Sequence, residues 1–136
     1  MVKSMKPNKQ RKSQANAPSH TKRKRVRARL QLSTPDARLA GIRNITVRVG
    51  DSVRVVRGDG AYGGKRIGGP RNRKEATEGK VIRVDSEHGR LFIEGMTTTK
   101  ADGAAEAFPV HASNVVITKI DEQDALRVKR LQERRN

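Results

Sequence analysis

The first thirty residues cannot build a core of their own, and this constrains the fold more than any other feature of the chain. Residues 1–30 hold 11 basic side chains (Lys3, Lys6, Lys9, Arg11, Lys12, Lys22, Arg23, Lys24, Arg25, Arg27 and Arg29) and no acidic one. Pro7, Asn8, Gln10, Gln14, Asn16 and Pro18 fill much of the remainder. With so few apolar groups to bury, the segment cannot offset its own ordering entropy, so an extended arm that orders on a partner is expected. The formal charge of the 136-residue chain is +17, yet residues 50–120 carry 12 basic and 9 acidic residues, and the last sixteen carry 5 and 4. The middle is therefore balanced like an ordinary globular domain. The excess calls for a polyanion, and nucleic acid leads membrane surface because no bulky apolar helix face accompanies the charge.

Several chemistries are excluded on composition. No cysteine is present, which removes disulfide scaffolds, Cys-ligated zinc and thiol nucleophiles. No stretch approaches the ~18 apolar residues of a membrane helix, and the first residues lack the apolar core of a secretory signal, so no membrane insertion is expected. A mitochondrial presequence shares the Arg- and Ser-rich, acid-poor composition, but no amphipathic spacing is evident and Pro7 and Pro18 would interrupt such a helix. A nuclear address at residues 22–25 rests on a short motif alone. Gly58-x-Gly60-x-x-Gly63 is followed by Gly64-Lys65-Arg66-Ile67-Gly68-Gly69-Pro70, which cannot open a phosphate-binding helix. A P-loop fails because Arg66 follows Gly64-Lys65 and Asp59 stands where its first glycine belongs. Arg57-Gly58-Asp59 as an adhesion motif has three letters behind it and nothing more. No carboxylate pair, activated nucleophile or metal-ligand spacing is found, so no catalytic residue, metal or cofactor is expected.

The middle has the pattern of short strands. In residues 46–49 and 52–57, Val47, Val49, Val53 and Val55 alternate with Arg48 and Arg54, and Gly50-Asp51 between them suggests a tight turn. Residues 79–85 repeat the pattern, although Ile82 blurs its phase. His88-Gly89 marks a turn before residues 90–94, Asp102-Gly103 another, and residues 115–120 a last strand. Five short strands suggest a mainly β fold, a small barrel whose closure removes sheet edges. Before it, Thr34 as cap, Pro35 and a stop at Gly41 predict a short helix. After it, residues 121–135 look helical, with Ala125, Leu126, Val128 and Leu131 as a partial apolar stripe. One tyrosine and two phenylalanines provide no stacking platform, and Phe92 and Phe108 are expected in the core.

Gly50-Asp51-Ser52-Val53-Arg54-Val55-Val56-Arg57-Gly58-Asp59 followed by Glu78-Gly79-Lys80-Val81-Ile82-Arg83-Val84-Asp85 looks like a KOW motif split by an insertion. Asn16-Ala17-Pro18-Ser19-His20 in the arm, Thr99-Lys100-Ala101-Asp102-Gly103, and His111-x-Ser113-Asn114-Val115-Val116-Ile117 stand in order around it. Together these blocks resemble the universal large-subunit ribosomal protein twenty-four family, in its archaeal and eukaryotic branch (protein twenty-six of the eukaryotic large subunit). The likeness runs from about residue 9 to residue 120.

The resemblance implies an SH3-like β-barrel that binds large-subunit rRNA directly and early in subunit assembly, near the peptide exit tunnel, in the cytoplasmic ribosome. It divides the chain into an arm (1–33), the KOW barrel with its preceding helix (34–120) and a C-terminal helix (121–136). Neighbouring ribosomal proteins are the other implied partners; no homo-oligomer is expected. The implied rRNA contacts are Lys9, Arg11, Lys12, His20, Lys22, Arg23, Lys24, Arg25, Arg27 and Arg29 in the arm, with Arg57, Gly58 and Lys80 in the KOW segment. Gly58 and Gly79 would let the backbone approach the sugar-phosphate chain. The departure from the family is the segment 60–77, a basic Gly-rich insertion whose Lys65, Arg66, Arg71, Arg73 and Lys74 are candidates for an extra RNA contact. A KOW-bearing transcription factor would normally carry a second domain, and a chromatin-like DNA binder would explain the charge but not the 16–20 and 111–117 blocks.

Overall fold

The computed structural model describes residues 2–61 and 76–135, so Lys65, Arg66, Arg71, Arg73 and Lys74 lie outside the described residues. The chain runs α1 (Pro7–Ala15), α2 (Ser19–Arg25), β1 (Arg27–Leu30), a 3-10 turn (Ala37–Leu39), β2 (Asn44–Thr46), β3 (Ser52–Val55), β4 (Glu78–Asp85), β5 (Arg90–Thr99), β6 (Ala105–His111), a second 3-10 turn (Ala112–Asn114), β7 (Val115–Lys119) and α3 (Ala125–Arg135). The fold is mostly β. Among the described residues the strands form one sheet, ordered β2-β1-β7-β3-β4-β5-β6, with β1 and β7 parallel and the other pairs antiparallel.

The expected closure is absent from these pairings, and β2 and β6 end the ladder. Both edges are blunted in other ways. β2 is only three residues long, and its Thr46 carbonyl accepts a 2.9 Å hydrogen bond from Arg127 of α3. β6 carries Pro109, which has no N–H to offer a neighbour. The five expected strands leave out two that form. β1 has a single deeply buried side chain, Ala28, between exposed Arg27 and Arg29, and β6 holds a proline that argues against a strand.

The arm is not extended. Pro7 opens α1 at a position whose N–H has no helical partner, and Pro18 is the cap residue of α2, so the prolines delimit helices where interruption was expected. Between them, Lys, Gln, Arg and Ala are strong helix formers. Neither helix has a buried residue, which agrees with the apolar poverty of the segment.

The expected hairpin across Gly50-Asp51 does not form either. β2 pairs with β1, while β3 pairs with β7 and β4. Gly50, at φ +95, donates to the Val81 carbonyl at 3.0 Å, and the Val81 N–H donates to Asp51 at 2.9 Å. Two residues thus face one: a β-bulge with glycine at its left-handed position. The blurred phase at Ile82 has a similar cause, because the β4–β5 register jumps between Val81 and Arg83 and leaves Ile82 without an opposite number.

The core lies along one row and its neighbours. Leu30, Ile117, Val53 and Gly79 are successive partners across β1, β7, β3 and β4, with Ile45, Val55, Leu91, Ile93 and Val115 buried around them. Phe92 is only half-buried and lies under the Arg83 guanidinium, 4.1 Å from the ring centroid. Phe108 packs against the core from a half-buried position.

The short helix is a single 3-10 turn capped by Asp36, whose carboxylate accepts from the Arg38 N–H at 2.9 Å; Thr34 is not the cap. The C-terminal helix starts at Ala125. Its inward residues are Arg127 and Leu131, four apart on one face, and Leu126 is 66% exposed. Asp51 explains the inward arginine. Its buried carboxylate takes both Arg127 terminal nitrogens at 2.6 Å and the backbone N–H groups of Arg48 and Asp121 at 3.0 Å.

Candidate nucleic-acid interface

The row next to the core row faces outward and is built around arginines. Asn44, Arg29, Val116, Arg54 and Glu78 are consecutive partners across β2, β1, β7, β3 and β4. Because side chains alternate along a strand, Arg27 shares the outer face with Arg29. These two, with Arg43 just before β2 and Arg57 just after β3, surround a groove of about 590 Å³. Among the described residues no carboxylate lines it, and none lies within ion-pair distance of the four guanidiniums.

Two of the four are held in place by the fold. Arg27 donates to the Asn44 carbonyl at 3.1 Å, and Arg57 donates to that of Ser113 at 2.6 Å. A guanidinium has five N–H groups, so one such bond fixes the fork and leaves donors for an oxyanion. The 111–117 block supplies the wall that holds Arg57. His111 Nδ1 accepts from the Ser113 N–H at 3.2 Å and caps the 3-10 turn, while the Asn114 carbonyl accepts from the N–H groups of Val56 and Arg57 at 2.8 and 3.2 Å.

The groove continues into the helices. Arg27 also lines a cleft shared with Lys22 and Arg25, and Arg25 lines another with Lys9 and Lys12 between α1 and α2. Cations therefore follow one another from Lys9 and Lys12 through Arg25 and Arg27 to Arg29, Arg43 and Arg57. Arg11 is exposed on α1 and donates to Asn8 at 2.7 Å; His20 is exposed on α2. Lys22 differs from its neighbours. Its side chain is mostly covered and its ammonium is paired with Glu87, so it ties α2 to the β4–β5 turn. In that turn the His88 imidazole lies 2.9 Å from Asp85, and this bond, aided by the His88 and Glu87 N–H groups, holds the Asp85 carboxyl below its ordinary range. Arg23 and Lys24 line a separate groove with Val47, Val49 and Val84. Lys80 is exposed on β4 opposite Ser52 and lines none of these clefts.

The glycines divide. Gly58 is exposed in a turn at φ +87. Gly79 is required inside the protein, because a Cβ there would stand 2.6 Å from the Glu94 carbonyl oxygen. Sequence reasoning misses Arg43 and Arg54; only their places just before one strand and on the outer face of another mark them, and both depend on register. No cluster of His, Asp or Glu able to hold a metal occurs among the described residues.

Comparison with known proteins gives a consistent picture. The family model that describes the eukaryotic ribosomal proteins L26 and their archaeal L24 counterparts matches residues 4–134. A protein of Korarchaeum cryptofilum named large ribosomal subunit protein uL24 is 43% identical over 98% of this chain and 89% of its own length. Proteins of the same name from Sulfolobus acidocaldarius and Methanocella arvoryzae are 41% and 39% identical; each alignment spans 97% of this chain, with 87% and 94% of the respective relative.

Proposed function

Because the chain belongs to the family of eukaryotic ribosomal proteins L26 and archaeal ribosomal proteins L24, we propose that it is a structural constituent of the large ribosomal subunit, bound directly to large-subunit rRNA. The observation that carries this reading is the run of cations from α1 to Arg57, with no carboxylate among the described residues that line its arginine groove. rRNA is a dense polyanion, and each Lys or Arg that meets a phosphate releases condensed counterions. Guanidiniums pre-oriented by backbone carbonyls bind phosphate oxygens in a bidentate manner with little further ordering. The scarcity of aromatic side chains favours recognition of backbone and shape over base reading.

The sheet is read as an SH3-like barrel of the KOW type spanning residues 34–120, with its β1 partner strand drawn from the segment 1–33 and α3 packed against it. Within residues 1–33, α1 and α2 are the part that enters between RNA helices, and the insertion 60–77 reaches a further RNA segment or a neighbouring protein. The protein joins early in subunit assembly and lies near the peptide exit tunnel of the cytoplasmic ribosome. As a test, a tagged copy expressed in cells is followed on sucrose gradients. Co-sedimentation with the large subunit that survives a high-salt wash is expected. A protein found only at the top of the gradient, or with RNA polymerase, would overturn the reading.

A further inference from the structure

Two backbone irregularities face each other across β3 and β4. The Gly50-Asp51 bulge sets two residues against Val81, and immediately beyond Val81 the extra residue of the β4 bulge is Ile82. Val49 lies in the turn just before the Gly50-Asp51 bulge, and Gly50 bonds to Val81, the neighbour of Ile82. Val81 faces inward, so plain alternation sends Ile82 outward, and the register shift after Val81 turns Val84 back toward the core. Val49 and Ile82 are 56% and 57% exposed. Val49 and half-buried Val84 line a groove of about 440 Å³ with Arg23, Lys24 and Arg48, and no carboxylate stands among its described lining residues; Ile82 does not line it but lies two residues before Val84 on β4.

Single surface aliphatics are ordinary, but two of them close to a cationic groove with no described carboxylate in its lining mark an interaction surface. The chemistry separates the classes of partner. No aromatic ring among the groove's described lining residues offers a base a stacking platform, and phosphates meeting Arg23 and Lys24 give Val49 and Ile82 no apolar cover. A protein segment with aliphatic residues on one face does, and acidic residues beside that face would meet Arg23 and Lys24. Arg48 already has an intramolecular example of this pairing, with Asp124 at 2.6 Å.

We propose that this face docks an acidic amphipathic segment of another protein of the large subunit, covering Val49 and Ile82 with aliphatic side chains and pairing its carboxylates with Arg23 and Lys24. The inference rests on the large-subunit reading above, and it assigns Arg23 and Lys24 to a protein contact in place of phosphate.

The test places a photoreactive amino acid at position 82, and separately at 49, in the full chain in cells. Large subunits are purified, illuminated and analysed by mass spectrometry. Both positions are exposed, so the substitution opens no core. The expected result is attachment from both positions to one protein segment that has Asp or Glu within a few residues, with the yield lowered about tenfold by an added Lys24→Glu change. Attachment to rRNA, or no attachment in subunits that contain the protein, would overturn the docking proposal and leave the ribosomal reading standing. Absence of the protein from the large-subunit peak would overturn both.

Discussion

Replacing Arg27, Arg29, Arg43 and Arg57 together with glutamine removes every charge that lines the arginine groove. If each guanidinium neutralises one rRNA phosphate, each contributes about 0.7–0.9 to the slope of log affinity against log salt. The variant's slope should therefore be shallower by about 3, so that over a fourfold rise in salt the wild type loses about 60-fold more affinity than the variant. Filter binding to large-subunit rRNA across a salt series reads this directly. Among the described residues only Arg27 and Arg57 of the four also bond to the protein through their side chains, to the Asn44 and Ser113 carbonyls at the surface. Losing one such bond costs about 1 kcal/mol, which a parallel thermal melt will register without loss of fold. An unchanged slope from a folded variant would mean that phosphates do not occupy the groove, and the reasoning from carboxylate-free arginines would fail.

Three further outcomes follow from the packing. Arg127→Met strands the buried Asp51 carboxylate and should cost about 3–5 kcal/mol in denaturant unfolding, whereas adding Asp51→Leu to it should recover part of the loss. Gly79→Ala should destabilise by about 1–3 kcal/mol, because the new methyl meets the Glu94 backbone, which cannot give way as a flexible side chain would; no change would mean that the β4–β5 approach is looser than described. The Asp124 carboxyl is held below its usual 3.8 first by the Arg127 N–H and then by the Arg48 guanidinium, against opposing desolvation. A depressed folded-state value stabilises above the unfolded value and is lost as pH falls through the folded one. Asp124→Asn should thus lower stability at neutral pH and flatten its fall below about pH 3.8, as followed by acid titration of the unfolding midpoint.

The residues differ in how much they disclose on their own. Alternation in residues 52–55 and 90–94 places β3 and the first half of β5, because a half-buried strand must show a period of two. Gly50-Asp51 carries a turn signal that is real, but whether glycine at positive φ serves a hairpin or a bulge depends on which strand lies opposite, and Val81 is far off in the chain. Pro7 and Pro18 are ambiguous for a related reason: a proline forbids a helix interior and favours a helix start, and the flanking chain decides between them. The cationic candidates on α1 are legible from charge alone. Arg43 is not, since its place in the groove is set by β1–β2 pairing and by nothing local. Lys22 shows the converse. It belongs to a basic run, yet the fold couples it to Glu87, 65 residues on.

The most direct measurement of the central reading is ultraviolet crosslinking of the protein to RNA in growing cells, with both the RNA fragments and the attached peptides sequenced. The expected result is fragments concentrated in one region of large-subunit rRNA, joined to peptides from α1, from β1 and from the stretch around Arg43 and Arg57. Fragments scattered over nascent messages, or peptides confined to segments away from these arginines, would contradict it.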